Sequence, residues 1–395
     1  MNIIMSVIDQ NIIGIDATNI RRGGGVTHLV ELINNANPKR HFFSKIVIWG
    51  PSSTLDKIIH KPWIHKINPP ESEKNLVKRT LWQIFSLGKE IEKENCSILF
   101  VPGGSYAGNY FPVVLMSQNL LPFEMKELRR FGLSFMTLKL LILRKTQSFS
   151  FARSNGIIFL TKYAKRKVLG VMGNMKKENE IIFHGLNSRF SIPPRVQKDI
   201  SEFNNDNPFK IIYVSTIDQY KHQWHVVTAV NSLRQKGYPI RLELIGPAYS
   251  PALKKLNEIA NRFDPKRDWM KYYSEIPFED LHKNYARADL GLFASSCENM
   301  PNILLETMAS GLPIACSDKG PMPEMLQDSG IYFNPEEPEE IAQAIYKLFS
   351  SRSLRSNLSK QSHELSKQYS WGRCADETFI FLNKVKTSFY KKEIL

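Results

Sequence analysis

A chain of 395 residues with 42% hydrophobic residues is too long for one ordinary core and too apolar for a disordered polymer, which leaves two domains of roughly 180 to 200 residues. The net charge of +15 lies entirely in the first half, where residues 1–195 hold 28 Lys and Arg against 13 Asp and Glu, while residues 196–395 hold 25 of each; the first domain is therefore expected to meet something anionic. Cys96, Cys297, Cys316 and Cys374 show no CxxC spacing, which excludes a disulfide framework or zinc module, and no apolar run reaches the 18 or so residues that span a bilayer.

Residues 1–9 have no basic leader and meet Asp9 early, so they read as a first strand and not as a signal peptide, and a cytoplasmic protein is expected. Strands are then predicted at 11–16, 45–49, 97–101, 112–116, 156–160 and 180–183, with helices over 26–35, 75–95 and 161–169. Such near-continuous apolar strands fit a parallel sheet covered on both faces. The apolar run 131–143 is broken by Lys139 and flanked by Arg129, Arg130, Arg144 and Lys145. It fits either a buried helix with solvated ends or a segment lying at an anionic interface. The polar, proline-bearing stretch 190–207 is the best linker candidate. A second alternating set follows, with strands at 210–215, 240–245, 289–294 and 313–317, helices over 223–236, 252–262, 277–286 and 338–349, and a final amphipathic helix over 375–391. The fold class is α/β, each domain an open doubly wound sheet that binds ligands at the carboxyl ends of its strands.

The most informative segment runs from Glu298 to Pro313. Asn299 and Pro301 are helix-opening residues, and Gly311 followed by Pro313 closes the helix, so Glu298 sits on the loop and Glu306 further along the helix. The backbone at Met300, Pro301, Asn302 and Ile303 forms the helix start, a natural seat for a diphosphate. Carboxylates aimed at a diphosphate would repel it, so the partners expected for Glu298 and Glu306 are diols. Lys221, between a strand and a helix, is a compact cation suited to phosphate. At Gly23-Gly24-Gly25 the backbone can approach a ligand closely, because glycine has no Cβ.

The Glu298–Pro313 segment resembles the EX7E signature, with its trailing small residues and GxP, of the retaining glycosyltransferases of family 4, which have the two-Rossmann-domain GT-B fold. Residues 213–222 are similar to the strand and phosphate loop opening the C-terminal domain of that family, and 182–187 to the end of its N-terminal domain. Residues 21–26 resemble its first glycine-rich loop, and Ser370-Trp371 the opening of its terminal helix. These pieces occur in family order and span nearly the whole chain. The resemblance implies two Rossmann-like domains facing a cleft: an acceptor domain at 1–192, a donor domain at 193–370, and a terminal helix at 371–395 crossing back to the first. It also implies that Glu298 bonds hydroxyls of the donor sugar, Glu306 those of the ribose, and that Lys221 meets the diphosphate, with Lys221 and Glu298 as the catalytic pair. Gly24 and Gly25 would lie at the donor, and the base would be read by backbone at Glu275-Ile276-Pro277. The chain departs from the family in three places. Thr216 replaces the arginine five residues before the lysine, leaving His222, a residue of the facing domain or the helix amides to complete the phosphate site. Asn119 lies where a histidine is common and would contact sugar by its amide, since it cannot be a general base. Asn187 replaces an acid near His184, which reads more as a structural residue than a catalytic one.

The implied reaction is transfer of a hexose-type unit, with retention, from a UDP- or GDP-type sugar to a glycan or lipid-linked glycan. A front-face displacement, in which the leaving phosphate deprotonates the acceptor, needs no paired carboxylates at glycosidase spacing. No cofactor beyond the nucleotide sugar and no metal is expected, for no DxD-like pair lies in a suitable loop. With a basic first domain, this suggests a peripheral protein on the inner face of the membrane, acting in bacterial surface polysaccharide assembly, O-antigen or capsule. Two alternatives stand beside it: a basic nucleic-acid-binding protein, although no nucleic-acid module is present, and the same fold serving as a nucleotide-sugar epimerase or a silent scaffold.

Overall fold

The computed structural model describes residues 11–173, 175 and 177–394, so the strand expected at residues 1–9 lies outside the described residues. The chain divides into two compact units. One comprises the chain up to Phe123, Ser134–Gly185 and the residues from Tyr369 onward; the other comprises Glu124–Leu133 and Leu186–Gln368.

The first unit is built on seven parallel strands: β1 (Ile12–Asp16), β2 (Lys45–Trp49), β3 (Ile64–Ile67), β4 (Ile98–Val101), β5 (Val113–Ser117), β6 (Gly156–Phe159) and β7 (Glu178–Ile181), in the order β3-β2-β1-β4-β5-β6-β7. Every residue of β4, β5 and β6 is buried, as expected of central strands covered on both faces. β3, read as Ile-His-Lys-Ile, was not predicted because an edge strand keeps polar residues on its wetted side. The helix expected over 75–95 is two, Leu76–Phe85 and Leu87–Lys93, parted at Ser86 with φ −117°. The last helix, Trp371–Ile394, belongs to this unit. Its Asp376 Oδ1 meets His41 Nε2 at 2.8 Å, and Phe379 lies against Phe43 with ring centroids 6.3 Å apart. A side chain at Gly185 would put its Cβ 2.1 Å from the amide nitrogen of Trp371, so glycine is required where this helix begins.

The second unit has six parallel strands: β8 (Phe209–Val214), β9 (Ile240–Ile245), β10 (Met270–Tyr273), β11 (Leu290–Phe293), β12 (Ile314–Ser317) and β13 (Ile331–Phe333), in the order β10-β9-β8-β11-β12-β13. The stretch expected to be a linker is fastened to this unit from its beginning. Phe190 is fully buried beside Tyr285 and Phe278, Ile192 N donates to Ala309 O at 3.0 Å, and Arg195 pairs with Asp289 at 2.8 Å. The compact unit accordingly starts at Leu186 and not at 193, and it also takes in Glu124–Leu133, which the sequence reading placed in the first domain. Strand order reverses between β8 and β11, and that switch point positions everything that follows.

Candidate functional site

The two loops leaving the carboxyl ends of β8 and β11 meet at the switch point. Ser296 N donates to Tyr220 O at 2.8 Å, and the Tyr213 hydroxyl, from within β8, donates to Lys221 O at 2.8 Å. These bonds fix the backbone on either side of Lys221. Its ammonium lies 5.2 Å from the Tyr220 ring centroid and 5.6 Å from that of Phe293, and it donates to Glu298 Oε1. The two sequence-predicted residues on separate loops are thus brought into one ion pair. With both side chains only 10% and 15% exposed, breaking this pair without replacement would leave a poorly solvated charge.

Thr216 is exposed, and its carbonyl is taken by Gln223 Nε2 at 2.9 Å. His222 does not supply the missing second cation. It is buried in the left-handed conformation, φ 53°, as the cap of the helix Gln223–Gln235. Its Nε2 lies 2.9 Å from Ser296 Oγ, whose other partners, Glu127 Oε2 at 2.6 Å and Tyr220 O at 3.3 Å, both accept; His222 Nε2–H must therefore donate. Burial first, and Arg130 second, press its pKa down to about 3, which keeps the ring neutral. A histidine that is neutral when folded contributes stability that is fully present above about 6.5 and is lost as pH falls towards 3. His222→Asn, which tolerates the left-handed backbone, should flatten the loss of unfolding free energy across that window as followed by urea denaturation, a loss that in the native sequence amounts to a few kcal/mol, on the order of its pKa displacement. Equal slopes in the two proteins would dismiss the assignment. Beyond Ser296, Glu127 pairs with Arg130 at 2.7 Å, and Arg130 with Glu336 at 2.9 Å; this network gave no sequence signal, because the Glu127–Arg130 turn, Ser296 and Glu336 come from segments far apart in the chain.

After β11 the chain runs through Glu298 into the helix Asn302–Ala309, capped by Pro301. The row of uncapped amides expected from Met300 to Ile303 is shorter than anticipated. Pro301 has no amide hydrogen, and the Asn302 amide closes a turn onto Met300 O at 3.0 Å. Met300 and Pro301 are buried, Asn302 and Ile303 half-buried. Glu306 is buried, not an exposed helix-flanking acid, and its Oε2 has no hydrogen-bond partner. Burial pushes its pKa up to about 8, against the pull of the Tyr285 hydroxyl and the Arg189 guanidinium. Ile276, on the loop after β10, and Ile303 both pack on the apolar cluster that contains Tyr285 and Phe190. Glu306, Ile276 and Ile303 therefore border one region. Arg189 and Tyr285 were not singled out from sequence; neither sits in a motif.

In the first unit, Gly23 caps the helix Gly24–Asn34 at φ 67°, a value that favours glycine, and space around Gly24 is open. Gly25 approaches Gln118, whose Oε1 would lie 3.0 Å from a Cβ placed there. Gln118 Nε2 donates to His28 Nδ1 at 3.1 Å. Asn119, the residue favoured from sequence, is exposed and its Oδ1 accepts from Leu121 N at 3.2 Å, so Gln118 is the amide that borders the glycine loop. His184 is buried in a ring cluster, 4.7 Å from His28 and 5.7 Å from Trp371 between centroids. Burial and the neighbouring His184 lower the His28 pKa well below its usual value, and its Nε2 has no partner. Among the described residues no group of three or more His, Cys, Asp or Glu is placed to hold a metal ion.

Residues 195–365 match the family model described as glycosyl transferases group 1, a span that contains Lys221, Glu298 and Glu306. Over its whole length the chain is similar in structure to sucrose-phosphate synthase from Thermosynechococcus elongatus, with a TM-score of 0.73 at 14% identity, covering 98% of this chain and 99% of that one. It is also similar to Anabaena HepE in complex with UDP and glucose, with a TM-score of 0.66 at 13% identity, covering 93% of this chain and 98% of that one. The fold is therefore GT-B, two Rossmann-like domains each with a parallel sheet. In sequence, 113 residues are 29% identical to O-antigen chain mannosyltransferase B of Escherichia coli, covering 29% of this chain and 30% of that protein, so the match spans less than a third of that relative.

Proposed function

We propose that the protein is a retaining glycosyltransferase that moves a sugar from a nucleotide-diphosphate sugar to a glycan or lipid-linked glycan acceptor. The observation that carries this reading is the Lys221–Glu298 pair at the β8/β11 switch point, with the buried Glu306 carboxyl, whose Oε2 has no hydrogen-bond partner, on the helix that follows. In the ligand-free protein the ammonium and carboxylate neutralise each other. An arriving donor replaces both halves: its diphosphate takes the Lys221 ammonium, and sugar hydroxyls donate to Glu298. Glu306 accepts from the ribose diol. The acceptor hydroxyl attacks the anomeric carbon on the face that the leaving group occupies, the bond from carbon to phosphate oxygen breaks, and the proton passes to that oxygen as nucleoside diphosphate leaves. Charge developing on the diphosphate is met by fixed donors, Lys221 and the peptide dipoles of the short helix, without a metal ion.

The UDP held by HepE and the O-antigen mannosyltransferase similarity support a UDP- or GDP-sugar donor and a place in bacterial surface polysaccharide assembly. The excess of cations in residues 1–195 supports a peripheral position on an anionic membrane. A melting-temperature screen against UDP-, GDP-, ADP- and TDP-sugars tests the reading. One class is expected to stabilise the protein by about 2.7 kcal/mol at a hundredfold excess over its Kd. Nucleoside diphosphate should then appear only when an acceptor is added. Stabilisation by none of the four, or release without acceptor, would count against transfer.

A further inference from the structure

In the first unit, the helices Leu76–Phe85 and Phe135–Arg153 present an apolar face to solvent. The Phe135 helix buries Leu140, Gln147, Ser150 and Phe151 but leaves Phe135 82%, Leu138 55%, Ile142 55% and Phe149 59% exposed. Its outward side is thus at least as apolar as its inward one, the reverse of an ordinary surface helix. Positions 135, 138, 142 and 149 recur at helical spacing and so form one stripe. Across from them, Leu76 and Ile84 are exposed as well, and the two helices line a groove of about 690 Å³. Lys139 and Lys145 also border the groove.

Charge decides between possible occupants. Neither helix contains an aspartate or glutamate, whereas together they carry Lys78, Arg79, Lys139, Arg144, Lys145 and Arg153. Facing a second copy would bring like charges together, and a nucleic acid would leave the apolar stripe uncovered. An anionic bilayer answers both demands, since acyl chains receive the apolar residues while phosphates receive the cations, whose long stems reach outward from apolar ground. No helix among the described residues is long and apolar enough to cross a membrane, so the contact is with the interface.

We propose that this two-helix face docks on an anionic lipid bilayer, with Phe135, Leu138, Ile142 and Phe149 entering the acyl boundary and Lys139 and Lys145 meeting headgroup phosphates. The inference gives a location to the membrane-peripheral part of the proposed function and is independent of the donor chemistry. The test is co-sedimentation of the full chain with vesicles of phosphatidylcholine alone or mixed with phosphatidylglycerol. The native protein is expected to partition onto the mixed vesicles and to be released by salt. Leu138→Ser/Ile142→Ser should lower that partition at least about tenfold, since two branched side chains leave the acyl boundary, and Lys139→Gln/Lys145→Gln should lower it and flatten its salt dependence. Both pairs of positions are exposed, so circular dichroism and any donor-induced melting shift should stay as in the native protein. The proposal is overturned if the native chain ignores anionic vesicles, if either double variant partitions like the native protein, or if the serine variant only converts a dimer to a monomer. Vesicle binding that persists while no nucleotide sugar binds would overturn the transferase reading and leave this one standing.

Discussion

Glu306→Gln is expected to raise the melting temperature of the ligand-free protein at pH 8 while weakening nucleotide-sugar binding on the order of a hundredfold, a loss of two charge-assisted hydrogen bonds. The two effects share one cause. Burial favours the neutral carboxyl and moves its pKa from 4.5 to about 8, so the folded protein holds a proton that the unfolded chain has already released across that interval. Stability rises with pH only where the unfolded state binds more protons; here the folded state binds more, so stability falls from about pH 4.5 until it levels near pH 8. The full drop is on the order of 3 to 5 kcal/mol for so buried a group. Glutamine keeps the shape and removes the titration, so its melting curve should be nearly flat over this interval where the native curve slopes down. A bound ribose reverses the balance: its hydroxyls donate to the ionised form, so donor binding should release a proton near neutral pH, measurable by calorimetry in buffers of different ionisation enthalpy. A native melting curve as flat as that of the variant would show that the Glu306 carboxyl is solvated, and the assigned role would lapse with it.

The same residue marks where the sequence was legible and where it was not. The interval between Glu298 and Glu306, and the Gly311-Leu-Pro313 stop, placed the loop and helix correctly, because capping and helix-breaking chemistry is local. That Glu306 is buried, with Tyr285 and Arg189 acting on it, depends on two segments outside its own helix. Central strands such as β4 and β5 announced themselves as continuous apolar runs, whereas the edge strand β3 mixes polar residues in, the edge strand β7 begins two residues before the predicted 180–183 because it opens on Glu178-Asn179, and the edge strand β13 is only three residues long. The helix Arg352–Ser366 gave no signal at all. Its buried positions include Arg355, Ser359, Ser362 and Ser366, which pack by hydrogen bonding, as when Arg355 Nη1 donates to Leu348 O at 2.7 Å and Phe349 O at 2.6 Å. Apolar periodicity cannot reveal a helix whose inner face is made of serine. At the site itself, Lys221 and Glu298 were each legible from their loops, but their contact was not, for 77 residues separate them and only the β8–β11 pairing brings the loops together.

That contact makes Lys221→Met the most damaging change expected for catalysis. Methionine retains the length and much of the volume of lysine but none of its charge, so the diphosphate would depart without its fixed counter-charge. Removing one such preorganised donor costs about 10²- to 10³-fold in kcat, with a smaller rise in donor KM if the charge grows chiefly in the transition state. The ligand-free protein should also lose about 1 to 3 kcal/mol, because Glu298 is left in a site only 15% exposed without its partner. Stability and chemistry are separable through the second residue. Glu298→Gln in the Lys221→Met background removes the stranded charge and should recover most of the lost stability, yet it should recover none of the lost kcat. Glu298→Gln alone should raise donor KM, as an amide replaces the carboxylate that accepts from sugar hydroxyls. If the double variant regained both melting temperature and turnover, the pair would be a structural clasp between two loops, and the phosphate would have to be met elsewhere. If the double variant regained neither, the lysine would be needed for the loops to hold their positions at all, a result distinguishable by the near-ultraviolet circular dichroism of the neighbouring Tyr213 and Tyr220.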